Sequence, residues 1–241
     1  MNTMGPFYAY KETRLDLDPA TQGSTIAIRL PAYGASAWPS KTGQKRSHVT
    51  EIPISDDETS FKQRHLASAG SIYHRSYHTS PRSFLWRVLE DGKVLSIRAV
   101  DITKQKDAPD ANLTLRFTFP NPIKPSCIAF SDSKEHDVLT ACVLTESKHL
   151  YTLNLRPDYF RRPSSTEDNV GDWCKSYLSS AFAFKAAHRL VALSADELLL
   201  SFVDGGLVRM SKPSGADGEH VRRVRWYWLI VLRCALDREV L

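Results

Sequence analysis

The sequence predicts an all-β chain, folded as a partial β-propeller of about three to four antiparallel blades with polar loops and one short helix. Three hairpin patterns predict this fold, because they recur at a nearly constant interval. The first and last turn at the Asp-Gly pairs 91–92 and 204–205, which lie 113 residues apart, and the middle one turns at residues 145–147. Units of three or four strands repeating about every 57 residues are typical of propeller blades with long loops. A two-sheet sandwich with fortuitous spacing is the alternative.

Each hairpin consists of two apolar, β-branched runs joined by a short turn. The hairpins cover residues 84–100, 137–155 and 197–210. A two-residue Asp-Gly loop supplies the positive φ angles of a type I′ turn, whose twist matches that of the strands. In the last hairpin, Leu198, Leu200 and Phe202 fall on one strand face, whereas Leu199 and Val203 fall on the other. Two apolar faces indicate a sheet that is packed between two neighbours.

Further strands complete the repeating unit. Short apolar runs at 127–130 and 190–193 precede the second and third hairpins, and residues 113–119 alternate like a strand after the first. The Gly-His and Trp-Asp dipeptides of regular WD repeats do not occur in the sequence, and the interval is longer than theirs. The pattern therefore predicts blades that differ from a regular WD40 array.

Two stretches have the spacing of a helix instead. Apolar residues predict a short amphipathic helix between residues 58 and 69, and Trp173 and Tyr177 predict another within residues 167–185. The second stretch has serines and few charges. It suits either packing against the strand that follows or weak contact with a curved membrane surface. We favour the packing interpretation.

We expect three parts along the chain. Residues 1–23 form an amino-terminal segment, residues 24–210 the partial propeller, and residues 211–241 a divergent basic and apolar tail. Within the propeller, residues 31–57 and 158–172 are polar and contain proline and serine, so we expect long loops there.

Charge is unevenly distributed along the sequence. The formal net charge is +5, yet residues 220–241 alone hold five arginines and two acids. The rest of the chain is therefore nearly neutral, which gives no indication of a nucleic-acid-binding surface on the propeller. Residues 222–228 combine arginines with aromatic residues, a pattern that can neutralise phosphates and stack on bases. A nucleic-acid-associated or protein-binding module that uses this tail is the alternative function.

No motif for catalysis or cofactor binding stands out. The sequence lacks a Gly-x-Ser-x-Gly elbow, a phosphate-binding loop and a zinc-protease motif, and its four cysteines include no Cys-x-x-Cys pair. His74 and His78 are four residues apart, which in an extended segment is about 13 Å, too far to share one metal. Acidic clusters at 56–58 and 167–168 fit solvated loops. We therefore predict a non-enzyme with reduced, buried thiols, no catalytic, cofactor-binding or metal residues, no cofactor and no small-molecule substrate.

Long collinear stretches resemble a known family. Residues 73–101, YHRSYHTSPRSFLWRVLEDGKVLSIRAVD, are similar to the first propeller blade of the large scaffold nucleoporins of the Y-complex, the 120/160 class. The similarity continues through residues 113–132, 143–155 and 172–212, and it includes YKETRLDLDPATQGSTIAIRLP near the start. Together these stretches cover roughly residues 7–215.

The resemblance implies a structural role. Members of this family have a seven-bladed amino-terminal propeller fused to a helical solenoid, and they position other Y-complex nucleoporins in the outer ring of the nuclear pore. It implies localisation to the nucleus, at the nuclear pore complex of the nuclear envelope, and support of nucleocytoplasmic transport, protein transport and mRNA export. It implies neither catalytic residues nor a specific nucleic acid partner. After about residue 218 the chain departs from the family pattern.

We expect the isolated chain to be poorly soluble or to self-associate. About four units of this size fit into 241 residues, so the sheets at the two ends of the arc leave apolar faces uncovered. The apolar residues of the last hairpin are Leu198, Leu200, Phe202, Leu207 and Val208. Exposed contiguous apolar patches promote association. Sedimentation and thermal melting of this chain, beside a longer one that completes the propeller, test this; a monomer with a sharp two-state melt would contradict it.

Overall fold

The computed structural model describes residues 25–32, 66–78, 81–102, 106–107, 111, 113–162, 173–178 and 184–211. These residues form three β-sheets and one short 3-10 turn at Pro157–Phe160. The first sheet holds β1 Thr25–Arg29, β2 Ala69–His74, β3 Ser83–Leu89, β4 Val94–Asp101, β5 Lys106–Asp107 and β6 Thr114–Thr118. The second holds β7 Ile123–Asp132, β8 Leu139–Thr145, β9 His149–Leu155 and β10 Cys174–Leu178. The third holds β11 Ala187–Ala192, β12 Glu197–Phe202 and β13 Leu207–Ser211.

Each sheet is built around an antiparallel meander in chain order. The three meanders are β2-β3-β4-β6, β7-β8-β9-β10 and β11-β12-β13. Two strands are added to the first: β1 pairs in parallel with β6, and β5 pairs with the end of β4. The three predicted hairpins are confirmed as β3-β4, β8-β9 and β12-β13, in successive sheets. The hairpin pattern did not predict β1, because this strand pairs in parallel with a strand far along the chain.

The sheets follow one another as the blades of a propeller do. Strand β7 of the second sheet lies beside β11 of the third sheet and approaches β2 of the first sheet. These are the strands that begin the three meanders. Two separate hydrophobic clusters result, one between the first and second sheets and one between the second and third. A sandwich of two sheets has a single such layer. The all-β, partial-propeller prediction is therefore confirmed.

Strand β8 shows how the second sheet serves both clusters. All seven of its residues are buried. Ala141 and Val143 belong to the cluster shared with the first sheet, whereas Cys142 and Leu144 belong to the one shared with the third. Successive side chains of a strand point to opposite faces, so an unbroken apolar run is what two-sided burial requires.

The three hairpin turns differ from one another. Asp91 (φ 52°) and Gly92 (φ 82°) both have positive φ, and the Lys93 amide donates to the Glu90 carbonyl at 3.0 Å, as expected for the predicted type I′ turn. The middle turn has a loop of residues 146–148 in which Lys148 (φ 66°) takes the left-handed conformation.

The second Asp-Gly turn was predicted wrongly. The Gly205 amide donates to the Phe202 carbonyl at 3.0 Å and the Phe202 amide donates to the Gly206 carbonyl at 2.9 Å, so the loop has three residues, 203–205. Only Gly205 has positive φ, 82°. The Asp204 carboxylate accepts a hydrogen bond from the Gly206 amide at 2.9 Å. This bond holds Asp204 at the middle of the three-residue loop, whereas the predicted loop began at Asp204.

The predicted helix within residues 167–185 is wrong between residues 174 and 178. This segment is β10, which pairs with β9 through contacts such as Cys174 opposite Leu153. Pairing satisfies the backbone groups along the edge of β9, which an isolated helix would leave bare. Trp173 packs in the first cluster and Tyr177 against the second, so they do not share an apolar side. Of the other predicted helix, most lies outside the described residues, and its last residue, Ala69, begins β2.

Replacing Gly205 with alanine should destabilise the chain by about 1 kcal/mol through backbone strain alone. A Cβ atom added there would meet no atom within 4 Å, so the cost comes from the left-handed φ of 82°. Asparagine tolerates that conformation, and Gly205→Asn should therefore lose clearly less stability than Gly205→Ala. Urea unfolding of the two variants measures the difference, and equal losses would show that the turn carries no such strain.

Candidate functional site

The first and second sheets are joined at one end by a buried polar cluster around Asp132, the last residue of β7. Its carboxylate accepts the Tyr73 hydroxyl at 2.8 Å and the backbone amides of Ser76 and Tyr77 at 3.1 and 3.2 Å. The three donors belong to the end of β2 and the segment that follows it, whereas Asp132 ends a strand of the next sheet. One carboxylate thus ties the connecting segment of one sheet to the edge of another.

Arg75 adds charge to this cluster. Its side chain is completely buried, with Nη2 2.6 Å from Asp137 Oδ1 and Nε 3.9 Å from Asp132 Oδ2. Its guanidinium is held by the charge of two carboxylates without aligned hydrogen bonds. Two hydrogen bonds with Arg82 fix the backbone at Arg75. The Arg75 amide donates to the Arg82 carbonyl, and Arg82 Nε donates to the Arg75 carbonyl. A buried charge is stable only when paired, so both aspartates are needed at this joint.

Aromatic side chains extend the joint into the core. The Tyr73 ring stacks on Phe130 of β7 at 5.6 Å, and Trp86 of β3 lies 5.7 Å from the same ring. Burial, reinforced by the hydrogen bond to Asp132, raises the pKa of the Tyr73 hydroxyl well above its usual value. The hydroxyl therefore remains a proton donor to Asp132 throughout the neutral range.

The two histidines of the predicted extended segment serve separate contacts. His74 Nδ1 hydrogen-bonds the Ser83 hydroxyl at 2.8 Å, and His78 Nε2 donates to the Ser133 carbonyl at 2.8 Å. His78 Nδ1 also lies 3.7 Å from Asp137 Oδ1. Within the described ranges, no group of three or more histidine, cysteine or acidic side chains could hold a metal ion. His78 thus belongs to the inter-sheet joint, whereas His74 links two strands of the first sheet.

Three of the four cysteines are buried, reduced thiols, as predicted: Cys127, Cys142 and Cys174. Burial raises the pKa of the Cys174 thiol to about 12, so it stays protonated and unreactive at neutral pH. Cys234 lies outside the described residues. So do the acidic clusters at 56–58 and 167–168 and the basic residues 222–225.

Among the residues that the structure describes, other elements cover the third sheet on one of its two faces. Leu200, Phe202 and Val208 are buried against the second sheet, so the expectation that they lie on an uncovered face is wrong. The residues that the third sheet leaves accessible are Val191 (41% exposed), Leu193 (53%) and Val203 (69%). Glu197 and Arg209 form an ion pair across this outer side. The uncovered face is thus less apolar than the covered one.

The first sheet carries three neighbouring arginines that the sequence analysis did not single out. Arg87, Arg98 and Arg116 belong to the adjacent strands β3, β4 and β6, two of them opposite Ser96. Burial, and then the positive charges of Arg98 and Arg116, lowers the pKa of Arg87. Arg116 Nη2 forms an ion pair with Glu90 at 2.6 Å. The alternation of side chains along each strand places these arginines on one face only when the pairing of β3, β4 and β6 is known, and the sequence does not give that pairing.

The arrangement as a whole is architectural, with sheets held at fixed joints. A family model described as the beta-propeller domain of nucleoporin Nup120/160 matches residues 82–224, more than half of the chain. The chain belongs to the Nup120/160 nucleoporin family. The matched region spans β3 and everything after it that the structure describes, so the family assignment and the propeller geometry agree.

Two curated relatives are similar over most of the chain. Nucleoporin NUP120 of Chaetomium thermophilum is 40% identical over 206 residues, which are 84% of this chain and 16% of the relative. Nucleoporin nup120 of Schizosaccharomyces pombe is 25% identical over 196 residues, 81% of this chain and 16% of the relative. The chain therefore spans about a sixth of the length of the relatives it matches. In the part of the chain covered by the structure, no helix has the length and apolarity needed to cross a membrane.

Substituting Asp132 with asparagine should destabilise the chain by about 3 kcal/mol, because the buried Arg75 loses one of its two countercharges. Asparagine keeps the shape but has one acceptor oxygen for the three donors, so the loss reports on hydrogen bonding as well as charge. Asp158→Asn is the matched control: its partner Arg161 is 3.4 Å away on the surface, and such pairs contribute less than about 0.5 kcal/mol. Denaturant unfolding of both variants measures the contrast. Equal, small losses would show that the polar cluster does not hold the sheets together.

Proposed function

We propose that this chain is a structural constituent of the nuclear pore, part of an outer-ring Y-complex scaffold subunit that supports nucleocytoplasmic transport, protein transport and mRNA export. The observation that carries the proposal is the family match over residues 82–224, on a fold whose sheets are joined as blades. The proposed partners are other Y-complex nucleoporins. The proposed location is the nuclear pore complex at the nuclear envelope.

The joints between the sheets support a mechanical role. A scaffold transmits position, so its parts must keep fixed angles under load. Apolar packing between sheets supplies stability without direction, whereas the hydrogen bonds that Asp132 accepts are directional, and both they and the Arg75 ion pair span two sheets. The buried cysteines and the separately bonded histidines do not form a reacting centre, and we propose that the chain is not an enzyme.

Two weaker functions rest on other parts of the sequence. A membrane-surface contact was considered for residues 167–185, but the segment Cys174–Leu178 is a strand within the second sheet and not an amphipathic helix. Nucleic-acid or protein binding through the arginines at 222, 223 and 225 is the alternative function, and it depends on residues that the structure does not describe. Neither has support from the described part of the molecule.

A chimera tests the scaffold role. The matched region of the Schizosaccharomyces pombe relative is replaced by the corresponding residues of this chain, and cells are scored for nuclear-rim localisation of the tagged chimera and for nuclear retention of polyadenylated RNA. We expect rim localisation and export close to those of the parent. The same chimera with Asp132→Asn should show reduced levels at the rim. A folded chimera that stays away from the rim would refute the proposal.

The alternative is tested on the full chain. A phosphate-binding tail should bind RNA with an affinity that falls steeply between low and moderate salt, and the triple substitution of Arg222, Arg223 and Arg225 by alanine should abolish it. The scaffold proposal expects no RNA binding above that of the triple variant. Salt-dependent binding lost in the variant would favour the alternative.

A further inference from the structure

The third sheet differs from the other two at one edge. In the first sheet a fourth meander strand, β6, pairs with β4, and in the second β10 pairs with β9. The strand at the same position in the third sheet is β13, and among the described residues it pairs only with β12. Within the described part of the chain, no strand occupies the fourth position beside β13.

Backbone geometry shows which groups of β13 face that position. The Phe202 amide donates to the Gly206 carbonyl, so these two residues face each other across the hairpin. Backbone direction alternates along paired antiparallel strands, so the amides of Val208 and Met210 also point toward β12. Those of Leu207 and Arg209 point the opposite way. The outer edge of β13 thus presents a row of backbone groups suited to pairing with another strand.

The side chains around this edge define what such a strand must look like. Val208 and Met210 belong to the buried cluster shared with the second sheet, and Leu207 on the other face is half-buried. A strand added beside them would continue the cluster on one face and lie next to Leu207 on the other. It needs apolar side chains on the face that continues the cluster, whereas its other face lies beside the exposed Arg209 as well as Leu207.

The spacing within the repeats points to the segment of this chain that fits. Twelve residues separate β4 from β6, and eighteen separate β9 from β10. The same intervals after Ser211 start a fourth strand between residues 224 and 230. A strand that starts in this window can cover residues 226–232, WYWLIVL, seven uncharged apolar residues of the aromatic and branched types that favour strands. Both of its alternating faces are apolar.

We propose that residues 226–232 pair with β13 as the fourth strand of the third sheet. The inference rests on the described edge and the repeat spacing, and it is independent of the proposed function. It assigns a structural role to a segment that departs from the family pattern, with the arginines at 222, 223 and 225 leading into the strand. A strand from a second copy of the chain is the competing occupant of the same edge.

Amide hydrogen exchange of the full chain tests the pairing, because β13 carries its own control. The amides of Val208 and Met210 are protected by β12 in any case. Protection of Leu207 and Arg209 requires a further strand. We expect all four amides to be protected, independently of protein concentration. Free exchange at Leu207 and Arg209 would overturn the proposal, and protection that rises with concentration would assign the edge to a second copy.

Proline substitutions identify the segment. Leu229→Pro and Ile230→Pro each interrupt the proposed strand, and Ala235→Pro, beyond it, is the matched control. Protection of Leu207 and Arg209 should fall by about tenfold or more in the first two variants and stay unchanged in the third, while Val208 and Met210 remain protected. Unchanged protection in all three would show that another segment fills the edge.

Cross-linking provides a second measurement that does not interrupt the strand. Arg209→Cys is combined with single cysteines at each position from 227 to 231, and disulfide formation is followed in the monomer under mild oxidation. Pairing brings the side chain directly opposite position 209 within disulfide reach, so one position should cross-link strongly and its immediate neighbours, which lie on the other face, should not. No cross-link at any position, or equal cross-linking at all, would overturn the proposed pairing.

Discussion

The second sheet is buried on both of its faces, and the rest of the structure depends on this constraint. A sheet with two apolar faces cannot bury both of them by itself, so it needs a neighbouring sheet on each side. Strand β8 shows the requirement most clearly, because all of it is buried and its apolar residues divide between the cluster shared with the first sheet and the one shared with the third. The chain therefore folds as a series of sheets whose stability lies largely in their contacts.

Apolar contact explains why the sheets associate, and the polar cluster explains why they associate at one angle. Asp132 accepts three hydrogen bonds from the end of β2 and the segment after it, and Arg75 is buried between Asp132 and Asp137. These hydrogen bonds and charge pairs form together in one arrangement of the two sheets. Sliding one sheet over the other would leave a guanidinium and a carboxylate buried without partners, which is far more costly than losing apolar contact.

Family membership indicates what kind of protein this is, and the contacts between its sheets explain how it is held together. The Nup120/160 match establishes the family, while the sheets show how its propeller is held together locally. The scaffold role that we propose requires no reacting centre and depends on the contacts that hold the sheets together. The buried thiols, the two histidines and the aromatic stack of Tyr73 on Phe130 all belong to joints or cores in this chain. Residue types that suggest chemistry in a sequence can therefore be structural when a sheet edge or inter-sheet space surrounds them.

The sequence by itself determined the features that depend on neighbouring residues: the three hairpins, their order and the type I′ turn at Asp91 and Gly92. Alternation and turn chemistry act over a few residues, so they can be recognised in the sequence. The tertiary structure decided the rest. It made Cys174–Leu178 a strand despite its helical spacing, because the edge of β9 was available, and it paired β1 in parallel with β6. It also brought Tyr73 to Asp132, 59 residues away in the chain, because packing of two sheets, which no local pattern encodes, sets which strand ends meet.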